Sequence, residues 1–450
     1  MRTYIVSDLH LGPGGKYDAF AGADELPAFL DRFTNEPAHV YVNGDGVDFL
    51  MNEDPLEMTV PRAVEQAKAL VADKATAGVL RAFGRTLARG GQVTIRLGNH
   101  DLELSLPEVQ SVLRAATDQP KEIADRLQFE LGFAPRILDV GGARVLVSHG
   151  EHTDKWNKVE YEQLKNPATY QYTAGSTLVK QIMNPLIRQY GLRFMNFLKP
   201  DFSGGALTAF AINPGIVKEI FKGATVDIVG QLIRRIGMAA AFAGDEDELD
   251  LGVGDRLAGA DLTDEEKQQL EAMLGEGGIA SFADEDDDKP SSLSVKIARA
   301  GLKVYAGFQR FQAKLDDAHK FLELSPDKAE WDDARRLAKK EHCGAVVYGH
   351  THAARWKEDG IVFANTGTWI WLMQLPAPTA DFDAWADFLT ELKHNPKLDP
   401  AKQDKARTLS RFTTVILEPH KDGGAAMSLA EYKNDNLETM GRSHVPATRA

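Results

Sequence analysis

Cysteine is nearly missing from this chain, with Cys343 its single copy. One thiol excludes an intrachain disulfide and fits a reducing compartment. Basic residues are short as well: 52 Lys and Arg stand against 66 Asp and Glu, a formal charge of −14. A chain built to coat nucleic acid needs basic faces that displace phosphate counterions, so this balance argues against that role and leaves open only a local basic groove. Long apolar runs are missing too. Lys, Arg, Pro or Asp interrupts every stretch before it reaches the ~20 residues of a membrane helix. The opening MRTYIVSDLHLG begins at once with strand-like residues and lacks the charged, apolar and small-residue zones of a signal peptide, so the expected location is cytoplasmic. No internal repeat or long low-complexity segment stands out.

What is present is an ordinary globular composition, 43% apolar and 26% charged, spread over 450 residues. That length exceeds one simple core and predicts two domains, or one large domain with an insertion. Short apolar runs recur in two blocks: TYIVSD, HVYVNGD, QVTIRLGNHD and ARVLVSHGE in the first, GAVVYGHTH, GIVFANTGTW and TTVILEPH in the second. Each has the length of a strand and carries polar residues at its C-terminal end. Open α/β sheets build sites in this way, because the loops at the carboxyl ends of strands converge on one crevice. A long helical segment is expected around PRAVEQAKALVADKATAGVLRAFGRTLARGG.

Between His149 and His350 the pattern changes. STLVKQIMNPLIRQYGLRFMNFL, PGIVKEIFKGATVDIVGQLIRRIGMAAAFAG and SLSVKIARAGLKVYAGFQRFQAKLDDAHKFL place apolar residues at mixed three and four spacing, and FADEDDDKPSS reads as an exposed connector. These features predict a helical subdomain over 156–340, inserted between a core of 1–155 and its continuation over 341–450, which includes a C-terminal tail.

The polar strand ends form one constellation. SDLHLG gives Asp8 and His10, NGDGVDF gives Asp45 and Asp48, and GNHD gives Asn99, His100 and Asp101; SHGE gives His149, and GHTH gives His350 and His352. Carboxylates, imidazoles and an amide oxygen suit Mn²⁺, Fe or Zn²⁺ and differ from a thiolate site. Asp-x-His and His-x-His spacing puts both side chains on one face of extended chain, which is chelate geometry. Asp8, His10, Asp45, Asn99, His149, His350 and His352 are more ligands than one ion can use, whereas two ions sharing a carboxylate ~3.5–4 Å apart would use them all. Gly44, Gly98, Gly150 and Gly349 beside them allow sharp turns.

In this order, D-x-H, G-D-x-x-D, G-N-H-D, H-G and G-H-x-H, the motifs resemble the calcineurin-like metallophosphoesterase family over roughly 1 to 155 and 340 to 420. The resemblance implies a two-sheet α/β/β/α sandwich and two divalent ions, Mn²⁺ first, with Fe or Zn²⁺ as alternatives. Asp8, His10, Asp45 and His352 would hold one ion; Asp45, Asn99, His149 and His350 would hold the other, with Asp45 bridging. His100 would lie beside the scissile phosphate, stabilising charge or protonating the leaving oxygen, with Asp101 orienting it. The implied reaction is hydrolysis of a phosphoester or phosphoanhydride by a metal-bridging hydroxide, without a covalent intermediate.

Around this set, Asp48 is expected to support the site or to cap the next turn. Glu151, His152 and Asp154 stand between binding substrate and holding His149. Asn365, Cys343, Trp369 and Trp371 read as structural. The insertion emerges between two ligand motifs, where a lid or substrate-selecting cap is the natural expectation. RFMNFLKPDFSGGALTAFAINPGIVKEIF reads first as subdomain core; the alternatives are a pocket for a hydrophobic substrate or a contact with a membrane surface. The expected partner is a phosphorylated small molecule or lipid. Within the family, DLHLG and GDGVDF look like the UDP-diacylglucosamine pyrophosphatases, which commonly carry Arg at the His100 position and are shorter; a nuclease is disfavoured by charge. A non-catalytic scaffold of the same fold would lose ligands or the histidine first, and this chain keeps them.

Overall fold

The computed structural model describes residues 1–33, 36–132, 134–154, 156–198, 323–373, 382–398 and 407–448. By contacts the chain divides into two compact units; the described residues of 1–180, 323–371 and 410–448 fall to the first, and those of 181–198, 372–373, 382–398 and 407–409 to the second. Most of the sequence expected to form the helical insertion, including FADEDDDKPSS, lies outside the described residues.

In chain order the strands are β1 (Arg2–Val6), β2 (Ala38–Asn43), β3 (Gln92–Arg96), β4 (Leu127–Glu130), β5 (Arg136–Val140), β6 (Ala143–Val147), β7 (Ala345–Tyr348), β8 (Ala354–Glu358), β9 (Val362–Thr366), β10 (Leu372–Met373), β11 (Thr408–Leu409), β12 (Thr413–Pro419), β13 (Ala425–Lys433) and β14 (Asn436–Val445). The first unit holds a seven-stranded sheet ordered β14-β13-β12-β1-β2-β3-β4 and a five-stranded sheet ordered β5-β6-β7-β9-β8. β1 to β4 run parallel, as do β6, β7 and β9. Antiparallel partners flank both blocks.

Alternation along the strands builds the layers. Tyr4 and Val6 face outward into a cluster with Phe29, Leu80 and Phe83, while Ile5 between them packs with Val145, Val147 and Val347 of the other sheet. On β6, Leu146 turns the opposite way, to Phe363 and to Trp331 and Leu337 of the helix Lys328–Glu341. The result is helix, sheet, sheet, helix, the sandwich that the motifs implied. Each fully buried Leu or Phe at these positions contributes ~1.5–3 kcal/mol by leaving water.

Helices α1 (Glu25–Asp31), α2 (Val60–Ala72), α3 (Lys74–Ala88) and α4 (Pro107–Ala115) cover the outer face of the larger sheet. The long helical segment expected here is two helices. Asp73 adopts an extended conformation, ends α2, and caps α3 by accepting from the amides of Ala75 and Thr76 at 2.9 and 3.0 Å. Two satisfied N-terminal amides outweigh continuation of the first helix.

The second unit contains the pair β10–β11, the helices Asn184–Tyr190 and Phe382–His394, and a two-pronged Arg407–Glu391 contact at 2.7 and 3.0 Å. No helix among the described residues is long and apolar enough to cross a membrane.

Candidate metal centre

Five parallel strands stop just short of a polar residue. β1 ends at Val6 before Asp8, β2 at Asn43 before Asp45, β3 at Arg96 before Asn99, β6 at Val147 before His149, and β7 at Tyr348 before His350. Backbone bonds then join the loops beyond the sheets: Asp8 N donates to Gly44 O at 3.1 Å, His10 N to Asp45 O at 2.9 Å, Phe49 N to His100 O at 3.1 Å, and Gly349 N to His149 O at 2.8 Å.

The backbone is strained where the side chains converge. Asp8, His10, Asp45, His350 and His352 all have φ between 46° and 69°, half of the ten non-glycine residues in that region among the described residues. Such conformations cost on the order of 1–3 kcal/mol each and persist where the surroundings hold them. Gly98 has a different task. A Cβ there would lie 2.6 Å from the Asp45 amide and 2.8 Å from His149 Nε2, so only glycine lets these elements meet.

Two groups of ligand atoms result, Asp8, His10 and His352 in one, Asp45, His149 and His350 in the other. All are buried, at most 5% exposed, and Asn99 is 2% exposed beside them. Asp45 stands between the groups: its Oδ2 is 3.4 Å from His149 Nε2 and 3.8 Å from His10 Nε2, and its Oδ1 accepts from His100 N at 2.9 Å.

The donor chemistry tests whether a cation fits. His149 Nδ1 faces the Asn43 carbonyl at 2.9 Å, which can only accept, so Nδ1 carries the proton of the neutral ring and Nε2 presents a lone pair. That lone pair faces Asn99 Oδ1 at 3.3 Å and Asp45 Oδ2 at 3.4 Å, both acceptors. Similarly, His10 Nδ1 donates to Asp48 Oδ2 at 2.9 Å, and its Nε2 lies 3.1 Å from His352 Nε2. Asp8 Oδ1 is buried without a hydrogen-bond partner, 3.4 Å from His352 Nε2. Acceptors that face each other across buried space are satisfied by a cation, and nitrogen with carboxylate oxygen suits a divalent transition ion.

The electrostatics divide the two histidines. Burial pulls the His10 imidazole down to about 4, which keeps it neutral. Burial also lowers His149, but the carboxylates of Asp45, Asp8 and Glu151 outweigh it and hold the ring up at about 10, so in the metal-free pocket Nε2 keeps a proton, which a bound cation would displace to free the lone pair. Against their own burial, Asp45 is held well below the usual carboxylate range by His149, His100 and His10, and Asp8 is lowered by His352 and His149. The pocket therefore concentrates negative charge that a cation neutralises.

His100 is 9% exposed, more open than the ligands, and its Nδ1 donates to Asp48 Oδ2 at 3.0 Å. This corrects the expected support. The carboxyl of Asp101 accepts from Gly46 N and Gly98 N at 2.8 and 2.7 Å and latches two turns, so the carboxylate on the His100 ring is that of Asp48. Burial and the charge of Asp45 raise Asp101 well above the usual range. Asp48 combines both of its expected tasks, since its Oδ1 also accepts from Leu50 N at 2.8 Å.

Asp154 approaches His350 Nε2 at 3.3 Å, and His152 pairs with Asp333 at 2.8 Å; Glu151 is buried and its charge helps to raise His149. Asn365 is structural, as expected: its Nδ2 donates to Gly349 O at 2.8 Å and to Thr351 Oγ1 at 3.1 Å, holding the turn that bears His350 and His352. Trp369 is fully buried against Phe412, and Cys343 is buried just before β7. Asn157, which contacts Asn99, escaped sequence reasoning; its one signal is the density of polar residues in HGEHTDKWN.

Residues 1–185 match the family model for calcineurin-like phosphoesterases. This part of the chain carries the domain of that superfamily, which implies metal-dependent phosphoester hydrolysis, and the two buried groups of His and Asp fit divalent metal binding. No curated protein matches the chain.

Proposed function

We propose that this protein is a dinuclear metal-dependent hydrolase acting on phosphoester or phosphoanhydride bonds of a phosphorylated small molecule or lipid. The observation that carries the reading is Asp45 Oδ2, within 3.4 Å of one group of ligand atoms and 3.8 Å of the other. Asp8, His10, Asp45 and His352 would hold one ion and Asp45, Asn99, His149 and His350 the second. Bound there, two divalent ions acidify water toward neutrality and neutralise phosphate charge, Mn²⁺ being our first choice and Fe or Zn²⁺ the alternatives.

The rest of the chemistry belongs to the chain. Asp48 accepts from His100 Nδ1, which leaves Nε2 as the atom that meets substrate. Protonated, Nε2 donates to a phosphate oxygen or to the leaving oxygen as the ester bond breaks. The low exposure of the ligands keeps bulk water from competing for the charges, which strengthens each interaction in the site.

The test is a metal analysis of the purified chain beside hydrolysis of p-nitrophenyl phosphate and bis-p-nitrophenyl phosphate with added Mn²⁺. About two ions per chain with turnover is the expected result, and the preferred ester separates monoesters from diesters. No metal uptake and no metal-dependent turnover on either ester would overturn the reading.

A further inference from the structure

We infer that Asp154 and Asn157, which no motif includes, are positioning residues for the second ion, fixing which atoms of His350 and Asn99 point at it. This rests on the dinuclear reading above. Asn99 can turn either its oxygen or its NH₂ toward an ion, and His350 can offer either ring nitrogen; only one choice in each case is a competent ligand here.

The hydrogen bonds settle both choices from one end. Asp154 Oδ2 can only accept, and it lies 2.7 Å from Asn157 Nδ2. That fixes the Asn157 amide and turns its Oδ1 to Asn99, whose Nδ2 donates to it at 3.3 Å. Asn99 must then present Oδ1 inward, where it faces His149 Nε2. The same Asp154 oxygen lies 3.3 Å from His350 Nε2, so Nε2 carries the proton and Nδ1 holds the lone pair for an ion. One carboxylate oxygen thus sets the orientation of two ligands donated by different sheets.

The turn is built to do this. Asp154 Oδ1 accepts from Trp156 N at 2.8 Å, and Asp154 O accepts from Asn157 N and Lys158 N at 3.1 and 2.9 Å. Behind it, Gly175 N donates to Trp156 O at 2.8 Å, and a Cβ at Gly175 would press on Asn157, lying 3.2 Å from its Nδ2. Partners that orient ligands in this way typically carry 10–100-fold in metal affinity. His10, with its own carboxylate partner Asp48, does not touch this chain of bonds, so the effect should fall on one ion only.

The experiment titrates Mn²⁺ into the metal-stripped full chain by calorimetry, with electron paramagnetic resonance on the same samples, for wild type, Asp154→Ala and Asn157→Ala. Wild type should bind two ions and show the spectrum of a coupled pair. Each variant should keep one tight ion, lose about 10–100-fold at the other, show the spectrum of an isolated ion at intermediate Mn²⁺, and melt like wild type when metal-free. Unchanged affinity at both sites in both variants would overturn the inference while leaving the dinuclear reading intact. Equal loss at both sites, or a lowered metal-free melting temperature in both variants, would overturn it in favour of a purely structural role. Wild type that takes up no Mn²⁺ would sink the metal reading itself, and this inference with it.

Discussion

Asp48 Oδ2 lies 3.0 Å from His100 Nδ1, and the same oxygen lies 2.9 Å from His10 Nδ1. One carboxylate therefore orients both a ligand and the residue assigned to the substrate. Their substitutions should separate. His100→Ala should keep its metal content and lose on the order of 10²-fold or more in turnover of an aryl phosphate. Asp48→Ala should lose turnover and also bind the ion at His10 about 10–100-fold more weakly. Metal analysis beside steady-state kinetics decides, and an Asp48→Ala protein with wild-type metal affinity would show that His10 needs no partner.

At Gly98 the space is taken by neighbours that carry the chemistry. Alanine there would meet the Asp45 amide at 2.6 Å and His149 Nε2 at 2.8 Å. Overpacking of this kind typically costs about 1–3 kcal/mol. Gly98→Ala should therefore melt at a lower temperature and take up less Mn²⁺, with the larger loss at the ion held by His149. A variant that folds and binds two ions normally would refute the close approach.

Glu330, on the helix Lys328–Glu341, is fully buried and donates nothing to the centre, yet its carboxylate accepts from Asn365 Nδ2 at 2.8 Å. Burial, with the nearby charge of Asp327, holds the carboxyl up at about 7. The folded chain thus binds this proton more tightly than the unfolded chain, whose Glu titrates near ~4.3. The stabilisation is complete below the unfolded value and is lost as pH rises through about 7, a swing on the order of 3 kcal/mol. Glu330→Gln keeps an oxygen for Asn365 and cannot ionise. Thermal melts should find it close to wild type at pH 5 and more stable at pH 8.5. Parallel pH profiles for the two proteins would count against the raised value.

Much of this was legible in the chain, and the exceptions share a cause. The apolar runs recognised as strands became β1, β2, β3, β6, β7, β9 and β12, the interior of the two sheets. The edge strands β4, β5, β8 and β14 escaped, as did β13. An edge strand keeps polar side chains toward water, so NLETMGRSHV over Asn436–Val445 lacks the apolar run that marked the other strands. At the site the residues that converge were visible because metal chemistry restricts their types. The partners were not, because a hydrogen bond to an imidazole can come from any carboxylate that the fold brings near. Hence Asp101, next in sequence to His100, was expected where Asp48 stands, and Asn157 went unnoticed. The helix break at Asp73 was written in DKAT as an N-cap, but apolar periodicity carried across it.

β1 lies inside the larger sheet, paired on one side with β2 and on the other with β12, where Thr3 meets Leu417. Likewise β6 pairs with β7, Val145 beside Ala345. β1 is thus completed by β12, far along the chain, and His149 waits for His350 across the whole intervening segment. Contacts this distant in sequence close slowly, because chain entropy is lost before the pairing rewards it. Both sheets, and the centre between their strand ends, can therefore be finished only after synthesis has delivered the C-terminal strands. Until then β1 exposes a row of unpaired amides and carbonyls to any neighbouring strand, making early termination near residue 410 a route to aggregation as much as to inactivity.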